Sequence, residues 1–320
     1  MKKIVVTGVV LVAILFLLPV AGRILNTDGG TAEEPLPLPE SGQTLTVLMP
    51  DGVTVETMDA DAYLWGVVAA EMPASFEQEA LKAQAVAART YAMRKASGTV
   101  AAHPQAQVCT DYRCCQAWIE RTKAEENWGG QAVAYANKIT RAVSETTGEV
   151  IVYDGQLIDA VFHSSSGAAT QDAAEVWGGS VAYLQSVASP EGDEVPNYHT
   201  TVQLTDEEFR TALMAAQPSA DLSGDPSGWV GETTRTAGGS VHTIVLGGVT
   251  VTGAQARTIF SLRSADFTVT HDANGFTFTV TGYGHGVGMS QYGANRMAAE
   301  ESGYREILEH YYTGVTIEKR

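Results

Sequence analysis

Basic residues are scarce in this 320-residue chain. Its 20 Lys and Arg stand against 37 Asp and Glu, a formal net charge of −17. A phosphate backbone needs a basic surface, and no run of Lys and Arg makes a local one, so nucleic acid is excluded as a partner. Cysteine is nearly missing: Cys109, Cys114 and Cys115 are the whole complement. An odd count leaves at least one thiol outside any intramolecular disulfide. There is no internal repeat and no recurring βαβ pattern, which argues against a doubly wound sheet. The glycine-dense stretch near residue 285 has no Lys after it and no Rossmann spacing, so it does not read as a phosphate cradle. The run of serines near residue 165 lacks G-x-S-x-G, so a serine nucleophile is not indicated.

What is present is a globular composition, 44% hydrophobic and 8% aromatic. One long apolar run, Ile4 to Ala21, follows Lys2 and Lys3. It approaches the ~20 residues that span a bilayer, and it has positive-inside orientation. It reads as a signal anchor over residues 1–25, with the rest of the chain exported. Residues 26–43, rich in Pro, Glu and Gly, read as a linker. Residues 44–320 read as one catalytic region.

Alternating apolar and polar residues flank Asp51-Gly52, Asp154-Gly155, Gly247-Gly248 and Asn274-Gly275, each a hairpin signal. Helices are expected at Asp61–Ala70, ended by Pro73, and at Ser75–Lys95, opened by a Ser75/Gln78 capping box. Others are expected at Asp206–Ala216 and over Ser290–Tyr312, broken at Gly303. Gln217–Gly239 reads as a long loop or domain joint. The class is α+β: helices and antiparallel hairpins around a substrate cleft, preceded by one transmembrane helix.

Chemistry concentrates in two segments. In the first, YLWGVVAAEMPASFEQEALKAQAVAARTYAM (63–93), Glu71 stands among Val67, Val68, Ala69, Ala70 and Met72. Desolvation there would raise its pKa and make it a usable acid near neutral pH. Most Glu residues are surface groups, so the residue alone does not decide this. The second, GYGHGVGMSQYGANRMA (282–298), sets His285 among glycines that let backbone approach a ligand closely. Ser290 is a candidate helix cap, and Gln291 and Tyr292 candidate polar contacts.

These two segments, with FHSSSGAAT (162–170) and VWGGSVAYLQSV between them, resemble the stage II sporulation protein D family. The resemblance runs from the anchor to the final EILEHYYTGV. It implies a lytic transglycosylase that cuts peptidoglycan during forespore engulfment, with Glu71 as the acid/base. It also implies a preference for strands without stem peptides, and as partners the sporulation amidase, stage II protein P, and stage II protein M. A related branch enhances cell-wall amidases without catalysis, which is the alternative function. Gln84, Arg89 and Tyr91 are expected to line the cleft, with Ser165 and Ser166 as sugar-hydroxyl partners. Arg89 can offer a forked donor pair to the lactyl carboxylate, or can pair structurally with an acidic neighbour. Glycosidases that hydrolyse need a second carboxyl group, and only Asp172 and Glu175 suggest themselves.

Spacing leaves a disulfide and a zinc site equally open at the cysteines. The resemblance implies a His/Cys insertion that can hold zinc structurally, with His103, Cys109 and Cys115 as ligands and Cys114 or a water as the fourth. The apolar run carries its own test. Membrane fractions should hold the full-length chain, whereas soluble protein beginning near Arg23 would mean a cleaved signal peptide.

Overall fold

The computed structural model describes residues 34–320. The expected anchor and the start of the linker lie outside the described residues. Among the described residues no helix is long and apolar enough to cross a membrane.

The fold is α+β with antiparallel sheets. It opens with β1 (Thr44–Leu48) and β2 (Val55–Asp59), an antiparallel hairpin around Asp51-Gly52 in which Leu48 faces Val55. Asp59 accepts hydrogen bonds from the backbone N–H groups of Ser41 and Gly42, which ties the end of the linker segment down. The same carboxylate caps α1 (Ala60–Glu71) by accepting from Asp61 N. Helix α1 ends at Glu71 because Met72, preceding Pro73, is extended.

The long helix α2 spans Gln78–Ala96. The expected Ser75/Gln78 capping box does not form. Residues 73–76 make a turn closed by Phe76 N donating to Pro73 O, and Glu77 N donates to Asn295 Oδ1. The helix therefore starts after them. Its stripe of Leu81, Ala85, Ala88 and Ala92 is buried, and so are Ala83, Val86 and Ala87 on the other faces. Small side chains let neighbours close around this helix from all sides, so it forms the axis of the first core.

After β3 (Val108–Cys109), parallel to β1, come α3 (Arg121–Trp128) and α4 (Ala132–Glu145). Neither helix is among those expected above, although α4 carries a readable apolar stripe in Ala136, Ile139 and Val143. Next are β4 (Glu149–Tyr153) and β5 (Gln156–Leu157), joined by a two-residue turn. Asp154 and Gly155 both have positive φ there, as that turn requires. Strand β6 (Phe162–His163) and the short helix α5 (Ala173–Trp177) lead out of this half.

A second core follows. It holds β7 (His199–Leu204), α6 (Asp206–Ala216), β8 (Val230–Arg235), β9 (Val241–Leu246), β10 (Val249–Thr252), α7 (Gly253–Ile259), β11 (Phe267–Asp272) and β12 (Gly275–Thr281). The strands make two antiparallel three-stranded sheets, ordered β10-β9-β8 and β11-β12-β7. Stacked Phe209 and Phe276, with ring centroids 3.9 Å apart, lie at its centre with Trp229, Phe260 and Phe278. The stretch Gln217–Gly239, expected as a loop, contributes β8, because the exposed residues of that strand pair their backbone with β9.

The chain then returns to the first core. Strand β13 (Met289–Ser290) pairs parallel to β6, and α8 (Gln291–Ala299) is capped by Ser290 accepting from Gly293 N. Helix α9 (Tyr304–Tyr311) follows the break at Gly303, and β14 (Thr316–Lys319) closes against β4.

Arg89 lies at the heart of the first core. Its side chain is 4% exposed and pairs with Asp61, 0% exposed, at 2.9 Å. It also donates to the carbonyls of Val143, Thr146 and Glu149, while Asp61 accepts from Thr147 Oγ1. The expected sugar contact is thereby corrected to a structural ion pair. A guanidinium buried this deeply must have every donor matched, and these carbonyls do so. Arg89→Ala should lower stability by about 3–5 kcal/mol, read from the denaturant midpoint, because it strands the Asp61 charge. A variant as stable as the parent but weak in glycan binding would return Arg89 to the cleft.

Candidate active site

Glu71 is the last residue of α1, and it opens into a cavity of about 540 Å³, a size suited to a small ligand or a few sugar rings. Tyr91 enters the cavity wall from α2, Cys115 and Gln116 from the segment after β3, and Phe162, His163 and Ser164 from β6 and its end. Tyr283, Gly284 and His285 come from the glycine-rich loop, Gln291 from the start of α8, and Arg257 from α7. Residues from both cores thus share one cavity.

Among the residues lining this cavity, Glu71 is the sole carboxylate. Its Oε1 accepts from Ala117 N at 2.6 Å, and Oε2 has no partner among the described residues, so Oε2 is the oxygen free to carry a proton. Burial pushes its pKa up, against the Ala117 hydrogen bond, which pulls it down. The protonated form therefore persists to higher pH than in an ordinary glutamate.

The glycine loop reaches the cavity because its backbone occupies conformations that other residues avoid. Gly284 has φ 121° and sits so close to β6 that a Cβ would meet the His163 Cβ at 2.7 Å. Gly288, φ 73°, lies against the Val161 carbonyl just as tightly. His285 is thereby set beside His163, with ring centroids 5.6 Å apart. Burial, then the Arg257 charge, push His285 down to about 4, and its Nδ1 accepts from Val287 N. Burial, then His285, push His163 down to about 3. The His163 Nδ1–H donates to Val287 O, and Nε2 accepts from Ser166 Oγ at 2.6 Å. Both imidazoles are neutral at neutral pH, so they act as fixed hydrogen-bonding groups and not as acids. Tyr91 likewise stays a neutral phenol, its pKa raised by burial and then by the neighbouring thiols.

Of the residues named from the sequence, the structure brings Glu71, Tyr91, His285 and Gln291 to this cavity. Gln84 is fully buried behind Gln291, whose side-chain amide donates to Gln84 Oε1, so it supports the wall and does not form it. Tyr292 packs edge-on against Phe76 outside the cavity. Ser165 and Ser166 are buried beneath the site. Ser165 bridges to the Tyr283 backbone, while Ser166 holds His163 and donates its N–H to the buried Glu191. Asp172 caps α5, and Glu175 accepts from Ala237 N; neither lines the cavity. Sequence reasoning passed over His163, Ser164, Gln116, Tyr283 and Arg257. His163 sits in the quoted FHSSSGAAT motif, where the serines drew attention instead.

His103, Cys109, Cys114 and Cys115 place one donor atom each within 4.8 Å of one another. The three cysteines are free. The His103 Nδ1–H donates to Ala106 O at 3.0 Å, leaving Nε2 on the sulfur side, 3.3 Å from Cys115 Sγ. This orientation is the one a metal-ligating imidazole adopts. Cys114, left open against a water as fourth ligand, is part of the cluster.

Residues 51–153 match the family described as Stage II sporulation protein. Stage II sporulation protein D of Bacillus amyloliquefaciens is 37% identical over 281 residues, covering 88% of this chain and 80% of that protein. Its counterpart in Bacillus subtilis strain 168 is 35% identical over 336 residues, covering 99% and 96%. The chain belongs to the stage II sporulation protein D family. The family also reaches a Bacillus subtilis protein named Amidase enhancer, 31% identical over 306 residues, covering 79% of this chain and 40% of that longer protein. The family is one of sporulation proteins, and the cleft described above is the feature of this member that can hold a substrate.

The raised pKa of Glu71 has a stability consequence. The folded state binds this proton more tightly than the unfolded chain, so Glu71 disfavours folding increasingly as pH rises from about 4.5 through its folded value. Glu71→Gln keeps the Ala117 hydrogen bond and removes that penalty. Thermal melts should show the variant at least as stable as the parent at about pH 8, with the difference vanishing below about pH 4. A variant clearly less stable at the higher pH would mean that Glu71 is ionised there and needed for the fold.

Proposed function

We propose that the chain is a peptidoglycan lytic transglycosylase that cleaves the β-1,4 bond between muramic acid and glucosamine. The observation that supports this best is the lone carboxylate in the cavity, half-buried and raised in pKa. Hydrolysis by paired carboxyl groups calls for a second one across the scissile bond. Intramolecular transfer does not. The proton on Glu71 Oε2 passes to the leaving glycosidic oxygen as its bond to C1 breaks. The resulting carboxylate then takes the proton of the C6 hydroxyl of the same muramyl sugar while that oxygen bonds to C1. The balance closes without water and leaves a 1,6-anhydro end. Gln116 and Gln291 line the wall with neutral amides for sugar hydroxyls, and Tyr91 offers an aromatic face, while His163 and His285, whose ring nitrogens bond within the protein, shape the wall.

On this reading the chain works outside the cytoplasm, anchored by residues 1–25, with the sporulation amidase and stage II protein M as partners. The relative named Amidase enhancer supports a second reading, in which the cleft binds glycan and stimulates an amidase without turnover. Product analysis separates them. Mass spectrometry of digested, peptide-free glycan should show 1,6-anhydromuramyl ends, lost by at least ~10²-fold in Glu71→Gln, the usual scale of general acid–base catalysis. Reducing muramyl ends would instead mean hydrolysis. Absence of any new end, with glycan binding intact, would favour the enhancer.

The His103/Cys109/Cys114/Cys115 cluster fits zinc, which these residues would hold as a closed structural site. Its place in the fold is beside the catalytic carboxylate, since Ala117 follows Cys115 by two positions and bonds Glu71. Elemental analysis of protein purified without a histidine tag should find about one zinc per chain, and a chelator should lower the melting temperature. A metal-free protein with a mapped disulfide among these cysteines would overturn the assignment.

A further inference from the structure

Arg257 is a half-buried cation without a counter-ion among the described residues. It sits near the end of α7, lines the cavity that holds Glu71, and also lines the smaller cavity beside Trp177. Its one protein hydrogen bond is from Nε to the Leu262 carbonyl, which leaves the two terminal nitrogens of the guanidinium free. No carboxylate of the described residues pairs with it. Glu175 shares the smaller cavity but holds Ala237 N, and Asp266 pairs with Arg235. Glu71 does not pair with it either, and its Oε1 holds Ala117 N.

An uncompensated, partly desolvated charge is costly, and this chain has acidic side chains in large excess with which to neutralise it. Leaving it open to the cavity makes sense for a group that meets an anion there. The paired nitrogens of a guanidinium match a carboxylate in a forked geometry. The two neighbouring imidazoles are held neutral, so they neither compete for that anion nor repel it as carboxylates would.

We infer that Arg257 is the carboxylate-binding residue of the cleft, pairing with the free lactyl carboxylate of a muramyl sugar, so that the preference for strands without stem peptides, which the family resemblance already implies, rests on this residue. That the anion is borne by a muramyl sugar rests on the function proposed above; the need for an anion rests on Arg257 itself. When a peptide is attached, the same position carries a neutral amide with bulk behind it. It can neither form the ion pair nor fit as closely.

The test uses the full chain in detergent and muramyl-containing tetrasaccharides in two forms, with lactyl groups free or converted to methylamides. Calorimetry is done in the Glu71→Gln background so that nothing is consumed. The free acid should bind at least ~10-fold more tightly than the amide, the scale of a charge-assisted pair. Adding Arg257→Gln should bring the two forms within about 2-fold by weakening the acid alone, and Arg257→Lys should keep part of the preference. The preference should also shrink with added salt. Equal binding of both forms by the Glu71→Gln protein overturns the inference, without need of a second variant. So does a preference that survives Arg257→Gln. Turnover by the unsubstituted protein separates the two proposals. Cleavage of both forms at equal kcat/KM, with equal binding, sinks the role of Arg257 and spares the transglycosylase. A preference for the acid in binding, with no cleavage of either form, does the reverse.

Discussion

The buried pair of Asp61 and Arg89 organises the first core. Asp61 lies in the first turn of α1 and Arg89 past the middle of α2, so their contact fixes how these two helices cross. The remaining donors of Arg89 reach the final carbonyls of α4 and the start of β4, which draws four elements onto one guanidinium. Helix C-terminal carbonyls carry partial negative charge, so a cation there is favourable as well as satisfied. With the start of α1 held this way, its length decides where it ends, and it ends on Glu71. An ion pair one helix away thereby sets the position of a carboxyl group it never touches.

The other end of Glu71 is held by the segment after β3. The His and Cys side chains gather there, and Cys115, Gln116 and Ala117 run from that cluster to the cavity wall. One oxygen of Glu71 is fixed by Ala117 while the other is left open, which separates orienting the group from using it. The opposite wall is built on a different logic. The loop of glycines carries no charge of its own, and it sets two neutral imidazoles against one cation. Beneath it, Glu191 accepts from Ser166 N, Ser189 and Ser290, so the buried charge below the loop is fully hydrogen-bonded.

The sequence reveals the parts whose cause is local. Asp154-Gly155 and Gly247-Gly248 turn hairpins because their own backbone adopts positive φ, and helix α6 begins where Thr205 and Glu208 make a capping box. It hides the parts whose cause is distant. The capping box read at Ser75 loses to Asn295, which takes Glu77 N from far along the chain. Helix α3 buries Ala124 alone, so it has no apolar stripe to read, and α4 starts without a side-chain cap. The candidate site divides in the same way. Glu71 and His285 sit in composition unusual enough to notice. Arg89 and Arg257 look alike as lone arginines on helices, and only their surroundings make one a structural brace and the other an open cation.

That contrast between the two arginines explains why the cleft spans both cores. A proton donor works best on a rigid element in partly apolar surroundings, and α1, packed against the all-round buried α2, provides this. A charge that must stay open to solvent and ligand is unsuited to such a place, since the first core would bury it and require a partner, as it does for Arg89. Helix α7 stands on the margin of the second core, where Ala256 and Phe260 are buried and Arg257 between them is left at the cavity. The glycine loop spans the two, bridging at Tyr283 to Ser165, just past β6, while Gly284 N bonds to Arg263 O next to α7. On the proposed function, bond cleavage and the choice of what is cleaved are carried by residues whose supports do not depend on each other. A change in the second core can alter what the cleft accepts while leaving the geometry of Glu71 in place.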